Sequence, residues 1–74
     1  MFETASLPLA ATLISLGYNL DSISRIDPQK VRFVFGLGQT FGDVIEKFWG
    51  RKVLIEPNTF WEAQRFLKSR IYEQ

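Results

Sequence analysis

The chain has 74 residues, with nine Lys and Arg against eight Asp and Glu, and it contains neither Cys nor His. At roughly 100 to 200 residues per domain, this length predicts one small domain spanning residues 1–74. Without thiolates or imidazoles, the composition excludes the usual zinc, iron–sulfur and haem sites and any Cys-His or Ser-His nucleophile pair, so we expect no metal and no cofactor.

The first predicted element is a helix over residues 6 to 16. Thr4 or Ser6 can cap its first N–H groups, and Gly17 suits a left-handed cap at its C-terminus. Between them, the run Leu7–Leu16 is apolar on nearly every side, which is typical of a helix that is buried all round. A membrane-surface or partner-docking helix is the alternative, but the run lacks the basic polar face that such helices use. We therefore interpret it as the central core helix.

Two strands are predicted next. The apolar spacing in Tyr18–Ile26 fits neither a helix nor a clean alternation, and a strand with a bulge near Asp21 and Ser22 is the simplest explanation. The segment Asp27–Lys30 places Pro at the second position of a turn. The segment Val31–Leu37 then has an apolar residue at every second position, which predicts a strand. Together they predict an antiparallel β-hairpin whose Phe face packs on the helices.

A second helix is predicted after the hairpin. Thr40 and Asp43 have the spacing of a capping box, and apolar residues follow at helical intervals as far as Phe48. Gly50 is expected to end this helix. Beyond it, Val53–Glu56 is predicted to form a short extended segment, which a proline ends.

The last predicted helix covers about residues 59 to 73, where Thr59 and Glu62 form a second capping box. Its predicted core face consists of Phe60, Ala63, Phe66, Leu67 and Ile71. The phenylalanines expected on core faces of the whole chain are Phe33, Phe35, Phe41, Phe48, Phe60 and Phe66. Phe2 has no predicted place. The fold class is therefore α+β: a helix, an antiparallel hairpin, and two helices separated by a short extended segment.

Four segments, spread over nearly the whole chain, form a recognisable pattern. They are F-x-T-A-S-L-x-L-A-x-x-L-x-x-x-G-Y at the start, the strand V-R-F-V-F, then I-E-K-F-W-G, and finally E-A-Q-R-F-L-K-S-R-I-Y. This pattern resembles a family of small uncharacterised domains from bacteria, archaea and their viruses. The resemblance implies the same order of helix, hairpin and two helices in a stand-alone protein. It implies no activity and no catalytic residues.

Three glycines after the hairpin raise the possibility of nucleotide binding. Gly36, Gly38 and Gly42 lie between a predicted strand and a predicted helix, and Glu56 follows at about the 20-residue distance that a dinucleotide fingerprint requires. The spacing G-x-G-x-x-x-G departs from that fingerprint, and the chain is too short for the parallel strands of a dinucleotide crevice. We prefer the alternative, in which Gly36 and Gly38 turn the chain and Gly42 permits close packing.

The last predicted helix also carries a stripe of aromatic and basic residues, which we call the last-helix stripe. Drawn at about 100° per residue, these side chains lie close together and away from the core face. They are Trp61, Arg65, Lys68 and Tyr72. Such a stripe suits an acidic protein groove or nucleic acid, because Trp, Tyr and Arg anchor protein interfaces and rings stack on bases. The alternative is that the two rings pack under the segment from residue 49 to 52 and the two cations are only solvated.

A second cluster lies where the second helix is expected to end, and we call it the helix-exit cluster. It consists of Lys47, Trp49, Arg51 and Lys52. These residues could hold a phosphate or carboxylate, although charged residues after a helix are more often simply solvated. Contact between Trp49 and Trp61 would join the two groups into one aromatic patch with a basic rim, which would favour a binding surface.

We expect the protein to act by binding and not by catalysis. Asp43 and Glu46, one helical turn apart, could act as a carboxylate pair, but they also fit a solvated helix face, and no nucleophile motif accompanies them. The expected partner is a protein or another copy of the chain, with nucleic acid as the alternative, because a net charge of +1 is low for a phosphate binder. No membrane segment is predicted, and the absence of Cys fits a cytoplasmic protein.

Overall fold

The computed structural model describes residues 2–27, 30–36 and 40–72, apart from the side chains at positions 26 and 27. The elements, in chain order, are β1 (Phe2–Thr4), α1 (Leu7–Ser15), β2 (Leu20–Asp27), β3 (Lys30–Phe35), α2 (Gly42–Trp49) and α3 (Pro57–Tyr72). This is the predicted order of a helix, an antiparallel hairpin and two helices. The described part of the chain contains no helix long and apolar enough to span a bilayer.

The sheet has one strand more than the sequence predicted. Its strand order is β1-β3-β2, with β1 antiparallel to β3 in a register that places Phe2 opposite Phe35. A strand of three residues is too short to show a periodic signal, which is why Phe2 had no predicted place. Strand β3 is therefore the central strand, paired along both of its edges. Its Phe33 and Phe35 are almost completely buried.

The pairing of β2 with β3 contains the predicted bulge. Leu20 lies opposite Phe35 and Ser22 opposite Val34, so Asp21 is the extra residue. The hairpin continues to the pair Asp27 and Lys30, and the two residues between them, Pro28 and Gln29, lie outside the described residues.

Helix α1 is the centre of the core, as predicted. It packs against α3, α2 and β1, and its buried residues are Leu9, Ala10, Ala11, Thr12 and Leu13. The Ser6 side chain caps its start by accepting a bond from the Leu9 N–H, 3.2 Å away. At its other end Gly17 has φ +97°, and the N–H groups of Gly17 and Tyr18 donate to the last helical carbonyls. Both predicted ends of this helix are therefore confirmed.

Helix α2 starts differently from the prediction. Its N-terminal cap is Phe41, and no side chain accepts a hydrogen bond there, so the predicted capping box of Thr40 and Asp43 is wrong. Thr40 lies one residue too early to cap a helix that begins at Gly42. Its carbonyl instead accepts a 2.7 Å hydrogen bond from the Tyr18 hydroxyl.

Helix α3 also begins earlier than predicted, at Pro57. The Glu56 carboxylate accepts bonds from the N–H groups of Asn58 and Thr59, at 2.8 and 3.1 Å. The helix is therefore capped by the residue before its proline, and the predicted capping box of Thr59 and Glu62 is wrong. Pro57 costs nothing in this position because a first-turn N–H has no helical partner.

The core face of α3 is narrower than predicted. Ala63 and Leu67 are buried, and Phe60 and Ile71 pack partly buried against the same core. Phe66 is 46% exposed, so its predicted place in the core is wrong. On a helical projection Phe66 lies about 100° from Leu67, beyond Ala63 and on the side away from Ile71. This position turns the Phe66 ring towards solvent. The other end of α3 is tied to the sheet, since the Arg25 guanidinium donates to the carbonyl of Ile71.

Candidate functional site

The last-helix stripe lies on the surface of α3, beside its core face. Trp61 is 54% exposed and Tyr72 is 82% exposed, while Arg65 and Lys68 are exposed between them. The interpretation in which both rings pack under the segment after α2 is therefore not supported. The structure presents two large rings and two cations together on one solvent-facing side of a helix.

Within the stripe, Arg65 and Trp61 form a cation–π pair. The carbon at the centre of the Arg65 guanidinium lies 4.7 Å from the centroid of the Trp61 ring. The two residues are one helical turn apart, which is the spacing at which side chains on a helix meet. At an exposed position such a contact contributes about 0.5–1 kcal/mol, so it favours this orientation of the indole ring before any partner binds.

The helix-exit cluster is organised by the backbone after α2. Gly50 is the C-terminal cap, and the left-handed residue beyond it is Arg51, with φ 59°. The N–H of Arg51 donates to the carbonyl of Phe48 at 3.1 Å, and the N–H of Lys52 donates to that of Lys47 at 2.8 Å. These are the two bonds of a Schellman motif, in which glycine usually takes the left-handed position.

Trp49 is 66% exposed, and it makes a T-shaped contact with its neighbour Phe48, with centroids 5.0 Å apart. Among the described residues, no ring contact joins Trp49 to Trp61. Their chain neighbours Phe48 and Phe60 line one groove together with Arg51. The structure thus presents two exposed tryptophans with no ring contact between them, and the single aromatic patch that such a contact would make is not formed among the described residues.

The structure gives Glu56 a capping role. Hydrogen bonding from the Asn58 N–H is the main cause that lowers the pKa of the Glu56 carboxyl below its ordinary value, and the N–H and hydroxyl of Thr59 act in the same direction. Its carboxylate is held at the start of α3, where a ribose contact would compete with the cap.

Gly42 has open space around its Cβ position, so close packing does not explain this glycine. Gly38 lies outside the described residues.

The carboxylate pair predicted on the second helix lies at the surface. Asp43 and Glu46 are both exposed on α2. Among residues 2–27, 30–36 and 40–72, no group of three or more Asp or Glu residues is close enough to hold a metal ion.

A surface that the sequence reasoning missed lies between the end of α1, helix α2 and the chain after it. Two leucines line this groove: Leu16 is 43% exposed and Leu54 is 93% exposed. Lys47 and Lys52, from the helix-exit cluster, line the same groove, together with Asp43. Successive side chains of an extended segment point to opposite sides, so the expectation that Val53 and Ile55 face the core could have indicated that Leu54 points away from it.

The comparisons with known proteins identify a family and no function. A family model described as a domain of unknown function, DUF5659, matches residues 1–73. Neither a curated protein nor a solved structure matches the chain significantly.

Proposed function

The chain belongs to the DUF5659 family of domains of unknown function, and from its surface we propose that it is a small, non-catalytic protein-interaction domain. The contact surface in this proposal is the last-helix stripe, which binds a protein partner or another copy of the chain. The helix-exit residues Trp49, Arg51 and Lys52 form a second contact region.

The exposure of the two stripe aromatics is the observation that carries this proposal. Trp61 and Tyr72 are 11 positions apart, which is about 16 Å along a helix at 1.5 Å per residue. Burying such rings on a partner removes a large apolar area from water, and Trp, Tyr and Arg are the residues most often found at the energetic centre of interfaces. The same helix buries its other face in the core, so the stripe is held on a rigid element.

Charge indicates the chemistry of the partner. Arg65 and Lys68 lie between the two rings. Glu62, the acidic residue within α3, is exposed about 60° from Arg65 and about 120° from Lys68 around the helix, so it borders the stripe on one side. A partner surface with apolar pockets and a carboxylate rim complements this arrangement.

The backbone at the helix-exit cluster also supports an interaction role. A non-glycine residue in the left-handed region is disfavoured by roughly 1–2 kcal/mol. Arg51 occupies that region beside exposed Trp49, although a glycine there would cost less. Strain of this kind is often retained where the side chain has a function.

Nucleic acid is the alternative partner. Two exposed rings separated by cations also suit bases that stack and phosphates that pair with Arg and Lys. The low net charge of the chain, +1, is the reason to rank this alternative second. We place the protein in the cytoplasm, a proposal supported by the absence of Cys from the sequence.

A capture experiment with matched variants tests the stripe. The wild-type chain, the double variant Trp61→Ala/Tyr72→Ala and the control Phe66→Ala are immobilised at equal density and exposed to the same lysate. Phe66 is an exposed aromatic on the same helix outside the stripe, so it controls for non-specific hydrophobic retention. Proteins retained by the wild type and by Phe66→Ala, but lost from the double variant, support the proposal. Equal retention by all three contradicts it.

Salt dependence separates the two partner classes. Binding of a labelled single-stranded oligonucleotide is measured by fluorescence anisotropy at low and at moderate salt. Phosphate contacts weaken steeply over this range, whereas an apolar protein interface changes little. Oligonucleotide binding that falls with salt and requires Trp61 and Tyr72 favours nucleic acid over a protein partner.

A further inference from the structure

The segment Lys52–Glu56 between α2 and α3, which we call the linker segment, is extended and unpaired. Its side chains alternate between exposed and half-buried: Lys52, Leu54 and Glu56 face solvent, and Val53 and Ile55 face the domain. This period of two is that of a β-strand with one side on a core. Leu54, in the middle, is 93% exposed.

The backbone of this segment is available for pairing. In the part of the chain that the structure describes, the N–H and C=O groups of Val53, Leu54 and Ile55 make no hydrogen bond. An extended chain with open backbone groups and an exposed apolar side chain is the kind of edge that another strand extends.

The sequence of the linker segment is complementary to itself. When two copies run antiparallel about a two-fold axis at Leu54, Lys52 of each copy lies opposite Glu56 of the other. Val53 then lies opposite Ile55, and Leu54 lies opposite Leu54. From this symmetry we propose that the linker segment is a homodimer contact, in which two copies of the chain pair as a two-stranded antiparallel ribbon.

The exposure pattern agrees with this pairing. Residues 52, 54 and 56 all lie on the outer side, so the two Lys–Glu pairs and the central leucines share one face of the ribbon. Directly opposite residues in antiparallel strands have Cβ atoms about 4.5–5.5 Å apart, close enough for the leucines to bury each other and for the opposite charges to attract. The dimer is isologous, so its two-fold axis closes the contact at two copies.

The residues around the linker segment are compatible with a second copy. Leu16, 43% exposed, lines the same groove as Leu54 and adds apolar surface beside it. The Glu56 carboxylate caps α3, but its Oε2 atom accepts only the Asn58 N–H among the described residues, which leaves a lone pair for a lysine.

The partner in the ribbon is a second copy of the chain, and the contact lies outside the last-helix stripe and shares only Lys52 with the helix-exit cluster. An experiment can therefore contradict the proposed ribbon without contradicting the proposed function of the last-helix stripe, and the reverse. Because a single short ribbon buries little area, we expect a weak dimer that forms with increasing protein concentration.

Sedimentation velocity across a concentration series up to the millimolar range, with charged variants of Leu54, tests the ribbon. Leu54→Asp and Leu54→Lys each place like charges at the two-fold axis, and each is expected to weaken dimerisation by at least about tenfold. An equimolar mixture of the two variants places Asp opposite Lys and is expected to recover dimer. Both substitutions fall at an almost fully exposed position, and circular dichroism checks that the fold is kept.

Tyr72→Asp is the matched control, because it adds the same charge at an exposed position on the last-helix stripe and leaves the ribbon intact. A wild-type chain that remains monomeric at millimolar concentration overturns the inference. So does a dimer that Leu54→Asp leaves unchanged, or a mixture that recovers nothing. If the dimer is lost in Tyr72→Asp but kept in both Leu54 variants, the copies associate through the last-helix stripe, and the ribbon is overturned.

Discussion

The ring of Phe41 stacks on the ring of Phe2, with centroids 5.1 Å apart and planes inclined by 26°. Tyr18 stacks on Phe41 as well, also at 5.1 Å, and Phe35 meets it edge-on at 6.2 Å. One ring before α2 thus connects the first strand, the end of α1 and the central strand. This cluster explains how a three-residue strand is held in the sheet without a long ladder of hydrogen bonds.

Truncating Phe41 is expected to destabilise the fold. Phe41→Ala removes three aromatic contacts and leaves a cavity, which should lower the free energy of unfolding by about 2–4 kcal/mol. Phe66→Ala is the control, because it is the same substitution at an exposed ring and should cost about 0.5 kcal/mol or less. Urea denaturation followed by circular dichroism measures both values. Similar losses for the two variants would contradict the assigned core.

Gly17 and Gly42 should respond to alanine in opposite directions. Gly17 has φ +97°, so Gly17→Ala forces a left-handed conformation and is expected to cost about 1–2 kcal/mol. Gly42 begins α2 and has open space at its Cβ position, so Gly42→Ala should be stabilising by about 0.4–1 kcal/mol. Thermal unfolding of the two variants compares them directly, and a stabilising Gly17→Ala would contradict the left-handed conformation of Gly17 at the end of α1.

Replacing Arg51 by glycine should stabilise the isolated domain. Arg51 holds φ 59°, and glycine relieves this strain, for a net gain of up to about 1 kcal/mol after its greater freedom in the unfolded chain is counted. Lys52→Gly, one position later in extended backbone, is the control and should be destabilising. The measurement is urea denaturation of dilute protein. If Arg51→Gly also lowers partner capture, the strained side chain has a binding role; if stability falls, the φ assignment is wrong.

The Glu56 cap should make stability depend on pH. Hydrogen bonds from Asn58 and Thr59 lower the pKa of Glu56 below its ordinary 4.5 in the folded state. The contribution of the cap is therefore fully present above pH 4.5 and is lost as the pH falls through the folded-state pKa. The melting temperature of the wild type should exceed that of Glu56→Gln at neutral pH, and the difference should shrink in acid.

Glu62→Gln is the control for the pH experiment. It removes the same charge from an exposed position on the same helix without touching the cap. The two Gln variants should differ at neutral pH and converge towards each other as the Glu56 carboxyl protonates. A difference that persists unchanged at low pH would show that the charge of Glu56 does not act through the cap.

Two local predictions are confirmed because their signals act within a few residues: a glycine that tolerates the left-handed region, and a break in the apolar alternation that marks a bulge. Gly17 ends α1 in the left-handed region, and Asp21 forms the bulge. The helix starts were predicted less well. Thr40 and Thr59 have the right chemistry for caps, but the first residue of each helix also depends on how that helix packs. At the start of α3 the cap is Glu56, whose carboxylate accepts bonds from two N–H groups at once.

The candidate site was predicted as a set of residues and not as a surface. Helical periodicity placed Trp61, Arg65, Lys68 and Tyr72 on one side of α3, and the structure leaves all four exposed. Periodicity does not report the distance between α2 and α3, so contact between Trp49 and Trp61 could not be judged. Phe66 was misplaced for a related reason: the width of a buried face depends on the neighbouring helix, here α1, and not on the helix itself.

The sequence by itself determined the order of the elements, the central helix, the hairpin and the aromatic and basic character of α3, because these follow from periodicities and caps that act within a few residues. Only the tertiary structure decided that Phe2 adds a third strand, that Phe66 faces solvent and that Leu54 is exposed on an unpaired extended segment. Each of these depends on contacts between residues far apart in the chain, where burial is set by the shape of the neighbouring element and local composition carries no signal.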